Sequence, residues 1–92
     1  MIVRIATEGQ YRLPDDDAAQ LNELDNEVVA AVEAGDEDRF HELFEHMLDL
    51  VRSAGHGLDE DELEESDVIL PPPDTSFVEA AAEFTGEGLI PD

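Results

Sequence analysis

Residues 1–13, MIVRIATEGQYRL, alternate apolar and polar positions in the manner of two short strands joined by a turn. Val3, Ile5, Tyr11 and Leu13 fall on one face if Thr7-Glu8-Gly9 forms a three-residue loop. Gly9 then supplies the left-handed residue that such a loop wants at its last position. A two-residue Glu8-Gly9 loop would instead oppose Ile5 to Arg12 and spoil the pattern. The chosen register sets Arg4 opposite Arg12 on the second face, an unfavourable pair unless an acid meets it.

Pro14 ends the second strand, and the period changes from two to 3.6. Asp15, Asp16 and Asp17 supply N-cap candidates and negative charge for a helix start, with Asp17 and Gln20 in capping-box spacing. Leu21, Leu24, Val28, Ala31 and Val32 carry the helical stripe to about Ala34, where Gly35 stops it. Asp36 caps a second helix over roughly 37–54. Its stripe of Phe40, Leu43, Phe44, Met47, Leu48, Val51 and Ala54 is the strongest periodic signal in the chain. A break this short makes the two helices an antiparallel hairpin.

Gly55-His56-Gly57 reads as a loop, and Val68-Ile69-Leu70 as a third strand beside the N-terminal hairpin. Pro71-Pro72-Pro73 is a stiff connector. Ser76 and Glu79 form a capping box for a short helix ending near Gly86, and Leu89 and Ile90 are expected to dock on the core. The fold class is therefore α+β, in one domain over residues 1–92.

Chemistry is first suggested by HELFEH, residues 41–46, which resembles the H-E-x-x-H of zinc proteases. Helix geometry rejects the match. A step of four residues rotates about 40° from its start, and a step of five about 140°. His41 and His46 are five apart and diverge, and Glu42 and His46 make at most a pair where zinc takes three or four ligands. The segment DEDELEESD, residues 59–67, carries seven acids in nine positions. As an EF-hand it would need glycine at its sixth position and a carboxylate at its twelfth, and these hold Glu64 and Leu70. No phosphate loop, Ser-His-Asp set or glycosidase pair can be picked out, so neither a catalytic residue, a metal nor a cofactor is expected.

Composition sharpens the picture through charge. Twenty-six acids face four arginines with no lysine, a net charge of -22, while 41% apolar content suffices for one core. Such a surface repels nucleic acid and anionic lipid. The opening MIVRIATEGQ does not read as a signal peptide, and no apolar run approaches the roughly 20 residues of a membrane span. The absence of cysteine excludes disulfides and thiol chemistry and fits a cytoplasmic setting. Acids spread along the whole chain favour adaptation to a salty cytoplasm over a single basic partner.

Four stretches together resemble the PspAA family of PspA-associated proteins. These are M-I-V-R-I-x-x-E-G-Q-Y-R-L at the start, the A-G-D turn from Ala34 to Asp36, S-D-x-I-L-P-P from Ser66 to Pro72, and E-G-L-I-P from Glu87 to Pro91. The chain departs from the family in its heavier acid load and triple proline. The resemblance implies a non-enzymatic accessory of phage-shock protein A, the membrane-remodelling coiled-coil protein of the envelope stress response. It also implies a cytoplasmic protein brought to the membrane by its partner rather than by insertion.

Arg4 and Arg12, with neighbouring Gln10 and Tyr11, are the candidate partner-binding residues, since guanidinium groups can grip carboxylates on an acidic coiled coil. Gly9 and Gly35 are assigned to turns. The plainer reading is that the chain's own acids, from 59–67, neutralise both arginines. Two other functions compete: a self-associating helix-hairpin module with no PspA-type partner, and a metal hydrolase using His41, Glu42 and His46, the weakest of the three.

The charge yields a direct test. The Debye length shrinks from about 30 Å at 0.01 M salt to about 3 Å at 1 M, so screening should relieve self-repulsion. The melting temperature should rise markedly into molar salt in a calorimetric series; an unchanged value would remove the support for salt adaptation.

Overall fold

The computed structural model describes residues 1–62 and 64–84. Its elements are β1 (Ile2–Ile5), β2 (Gly9–Arg12), α1 (Asp15–Ala34), α2 (Glu37–Ala54), β3 (His56–Gly57), a 3-10 turn (Glu60–Glu62), β4 (Val68–Leu70) and α3 (Phe77–Glu83). The strands form one sheet in the order β3-β2-β1-β4, with β4 parallel to β1 and the other pairs antiparallel. The helix hairpin lies against one face of that sheet, an α+β architecture as the pattern predicts.

The N-terminal hairpin forms with a register two residues away from the expected one. Val3 faces Tyr11, Ile2 faces Arg12, and Arg4 faces Gln10 rather than Arg12. The turn is Ala6-Thr7-Glu8, closed by Glu8 N–H donating to the Ile5 carbonyl at 2.9 Å. Thr7, not Gly9, occupies the left-handed position, with φ 74°, while Gly9 opens β2 at φ 135°. A slip of two preserves every side chain's face, because strand side chains alternate with period two. Val3, Ile5 and Leu13 are accordingly buried, with Tyr11 half-buried beside them.

Helix α1 starts one turn earlier than the capping box requires. Pro14 is its N-cap, makes no side-chain cap, and accepts Ala18 N–H at its carbonyl, so Asp15, Asp16 and Asp17 all lie in the first turn. They act there through charge on the helix dipole rather than as a box. At the other end Gly35 sits at φ 71° and donates to the Val32 carbonyl, while Asp36 N–H reaches the Ala31 carbonyl at 2.9 Å. This crossed pair is the Schellman arrangement that a left-handed glycine permits. Asp36 then caps α2, its carboxylate accepting Arg39 N–H at 3.1 Å.

The α2 stripe is buried as its period demands, from Phe40 to Val51, with Ala54 half-buried. On α1, Leu21, Val28 and Ala31 are buried and Leu24 and Val32 half-buried; Asp25 and Val29 join the buried face unforeseen. One core cluster unites Val3, Ile5, Leu13, Val68 and Leu70 of the sheet side with these helical residues and with Ala80 and Phe84. All four phenylalanines join in one connected set of ring contacts. Phe40 stacks on Phe44 at 5.5 Å and meets Phe77 and Phe84 edge-on at 5.5 and 6.1 Å. The rings thus tie α3 to α2, in geometries that aromatic quadrupoles favour.

The segment expected to be a loop, Gly55-His56-Gly57, contributes the fourth strand. Tyr11 pairs with Gly57 and Arg12 with His56. Gly55 allows this approach, since a Cβ there would lie 2.3 Å from the Val51 carbonyl oxygen and 3.0 Å from Tyr11 Cβ. After β4 the prolines bend rather than run straight: Thr75 N–H bonds the Pro72 carbonyl at 3.0 Å, with Pro73 at the turn's second position. At α3 half of the capping box forms: the Ser76 hydroxyl accepts Glu79 N–H at 3.2 Å, while the Glu79 carboxylate takes the Thr75 hydroxyl instead. The helix closes at Glu83, short of the expected end. Gly86, Leu89 and Ile90 lie outside the described residues.

Phe40→Ala should remove the hub of the aromatic cluster and cost about 3–5 kcal/mol, whereas Val78→Ala, on an exposed face, should change stability by under about 0.5 kcal/mol. Urea unfolding at constant molar salt would read both.

Candidate functional site

The HELFEH segment is a helix flank. His41 and His46 are both exposed, on either side of buried Leu43 and Phe44. His41 packs edgewise on Phe40 at 5.1 Å and lies 3.7 Å from Glu37, one turn earlier. Among the described residues no group of three or more His, Cys, Asp or Glu side chains is placed to hold a metal ion. No helix among them is long and apolar enough to cross a membrane.

The sheet face away from the helices is built from Ile2, Arg4, Gln10, Arg12 and Ile69, the last in parallel register with Arg4. Residues 64–67 of the acidic segment run over one half of it. Gln10 is the clamp. Its amide nitrogen donates to the Glu64 carbonyl at 2.5 Å and the Ser66 hydroxyl at 2.7 Å, and its amide oxygen accepts Glu64 N–H at 3.2 Å. Both ends of the amide are engaged, which is what a side chain only 4% exposed requires. The Glu64 carboxylate pairs with Arg12. Asp67 completes the attachment, its carboxylate accepting Ile2 N–H and its own N–H donating to the Ile2 carbonyl, both at 2.8 Å.

The four candidate partner-binding residues therefore separate. Tyr11 points to the helix side and packs on the core. Gln10 is buried under the acidic strap, and Arg12 is neutralised by Glu64, as the plainer reading held for that arginine. Arg4 is half-buried and makes no ion pair with the described residues. Beside it Ile69 is 58% exposed, a large apolar side chain open to solvent. The other two arginines are engaged: Arg39 lies 3.6 Å from Glu42, and Arg52 pairs with Glu8 and Asp49.

Sequence reasoning passed over two features. Ile69 becomes Arg4's neighbour only through the parallel β1–β4 register, which no local pattern encodes. Glu8, at the hairpin turn, is bonded by Arg52 of α2 through two nitrogens, with Nε to Oε1 at 2.9 Å. This fork-to-fork contact pulls the Glu8 carboxyl below its usual range and raises the Arg52 guanidinium, the mutual hydrogen bonding being the largest cause and partial desolvation opposing it.

An acidic α+β domain with one sheet face covered by helices, and the other partly closed by its own acidic strap, is the class that these features define. The chain belongs to the PspAA family, PspA-Associated protein, whose family model matches residues 1–92. No curated protein and no solved structure matches it.

The Glu8–Arg52 contact should show in the pH dependence of stability. Glu8 is lowered in the fold, so its contribution is fully present above the unfolded carboxylate pKa and is lost as pH falls through the folded value. Glu8→Gln should flatten that acid limb and cost about 0.2–1 kcal/mol near neutrality, the range of exposed pairs, with less effect in molar salt. Urea titrations of both proteins between about pH 3 and 7 would check it.

Proposed function

We propose that this protein is a non-enzymatic accessory of a PspA-type envelope-stress system and works by protein–protein contact. Membership of the PspA-associated family over the whole chain is the observation that carries this reading. The setting it calls for is cytoplasmic and close to the membrane through the partner. The contact centres on Arg4 and Ile69, where a cation that makes no ion pair with the described residues adjoins an exposed apolar side chain. A partner segment with one carboxylate beside an apolar residue fits that pair, since guanidinium–carboxylate contacts give orientation and an apolar neighbour excludes water. Arg12 belongs to the fold rather than to the contact, because Glu64 already neutralises it.

The acid load serves solubility in a salty cytoplasm and discourages wrong partners by like-charge repulsion. Self-association through the helix hairpin is the rival reading, and the same experiment separates the two. Arg4→Gln should leave folding nearly intact and weaken capture of a PspA-type partner about tenfold, the loss expected for one charged hydrogen bond. Arg12→Gln should instead lower the melting temperature while the folded fraction still captures the partner. Copurification in molar salt, with sedimentation of the isolated chain, measures both. Undiminished capture by the Arg4 variant overturns the contact, and a stable oligomer that captures no partner overturns the accessory role.

A further inference from the structure

A second surface lies on the flank of α2, away from Arg4. His41, Glu45, Asp49 and Arg52 follow one another at steps of four, four and three, and so form one ridge along the helix. Phe44 and Leu48 floor a groove of about 310 Å³ behind that ridge, and Pro73 of the turn after β4 makes the opposite wall. The floor residues are 3% and 2% exposed, so the groove is shallow over a sealed apolar base. Its charge is one-sided. Arg52 is already occupied by Glu8 and lies 3.8 Å from Asp49, while Glu45 makes no ion pair among the described residues. With Glu45 and Asp49 on the rim and its one guanidinium already engaged by Glu8, the rim is short of positive charge.

We propose that this groove receives a lysine or arginine side chain from a basic segment of a partner protein. The aliphatic stem of such a side chain lies along exposed Pro73, over the nearly closed floor of Phe44 and Leu48, while its cationic head meets Glu45 and Asp49, dividing apolar from charged contact as long basic side chains do. An anionic ligand meets carboxylates at the rim. A purely apolar one leaves those carboxylates partly desolvated with nothing in return. The net charge of -22 steers a basic segment toward the surface, and the groove supplies the local selectivity that diffuse charge lacks. This inference stands apart from the Arg4 contact, which lies on the other side of the sheet.

The test is titration of the ¹⁵N-labelled full chain with the blocked tetrapeptide Leu-Lys-Lys-Leu at about 0.1 M salt, where exposed charges act over about 10 Å. Saturable shifts should concentrate at amides of residues 41–52 and 73–74. Glu45→Gln with Asp49→Asn should weaken binding about fivefold or more, while the charge-matched pair Glu23→Gln with Glu33→Gln on α1 should weaken it less than about twofold. Norleucine in place of both lysines should abolish the shifts. Equal weakening by the two double variants means diffuse attraction and overturns the groove. So does undiminished binding of the norleucine peptide, or concentration-dependent shifts of the same amides without peptide, which assign the groove to a second copy of the chain. A negative outcome with this probe leaves the copurification result to be judged separately.

Discussion

Gln10 fastens the acidic strap to the sheet without drawing on any of the four arginines. Its amide meets the Glu64 backbone in both directions and the Ser66 hydroxyl besides. In a chain with 26 acids, a neutral side chain that both donates and accepts is the economical fastener, because it adds no charge that must itself be balanced. The remaining ties follow the same rule. Asp67 holds Ile2 N–H with its carboxylate, Asp36 caps α2, and Ser76 caps α3. Carboxylates are spent on N–H groups, which are present in every residue but proline, and cations are kept for three places.

Those places are informative. Arg12 pins the strap, Arg52 pins the hairpin turn to α2, and Arg39 steadies the first turns of α2 through Glu42. Each joins its acid to a structural purpose visible in the fold. Arg4 has no such acid among the described residues, and its neighbour on β4 is Ile69. That placement is why the contact proposed above is centred on Arg4 and Ile69.

The helices were legible because period 3.6 and glycine punctuation act locally: the α2 stripe and the Gly35 stop need no knowledge of the rest of the chain. Strand pairing was less so. A period of two assigns faces but cannot distinguish registers that differ by two, so the inward set was right and Arg4's partner across the hairpin was wrong. β3 carried no pattern at all, since His56 and Gly57 are made a strand by the edge of β2 and the close approach at Gly55. Buried Asp25 broke the polarity rule that defines a stripe. Of the candidate surface, the shared face of Arg4 and Arg12 was readable, but their different fates depend on where residues 64–67 come to rest.

Salt decides how such a surface can work. At about 0.15 M the field of the acid load reaches roughly 8 Å, and at about 1 M roughly 3 Å, little more than a contact distance. Long-range steering therefore fades as salt rises, and what survives is contact. Apolar burial does not weaken with screening and is strengthened by salts excluded from protein surfaces. In the contact proposed above, Ile69 would supply more of the adhesion as salt rises and Arg4 the orientation, because a guanidinium that meets a carboxylate head-on keeps its geometry even when its reach is short. Within that proposal, the pairing of one cation with one large apolar side chain is the arrangement that would continue to discriminate between partners after general electrostatics has been screened away.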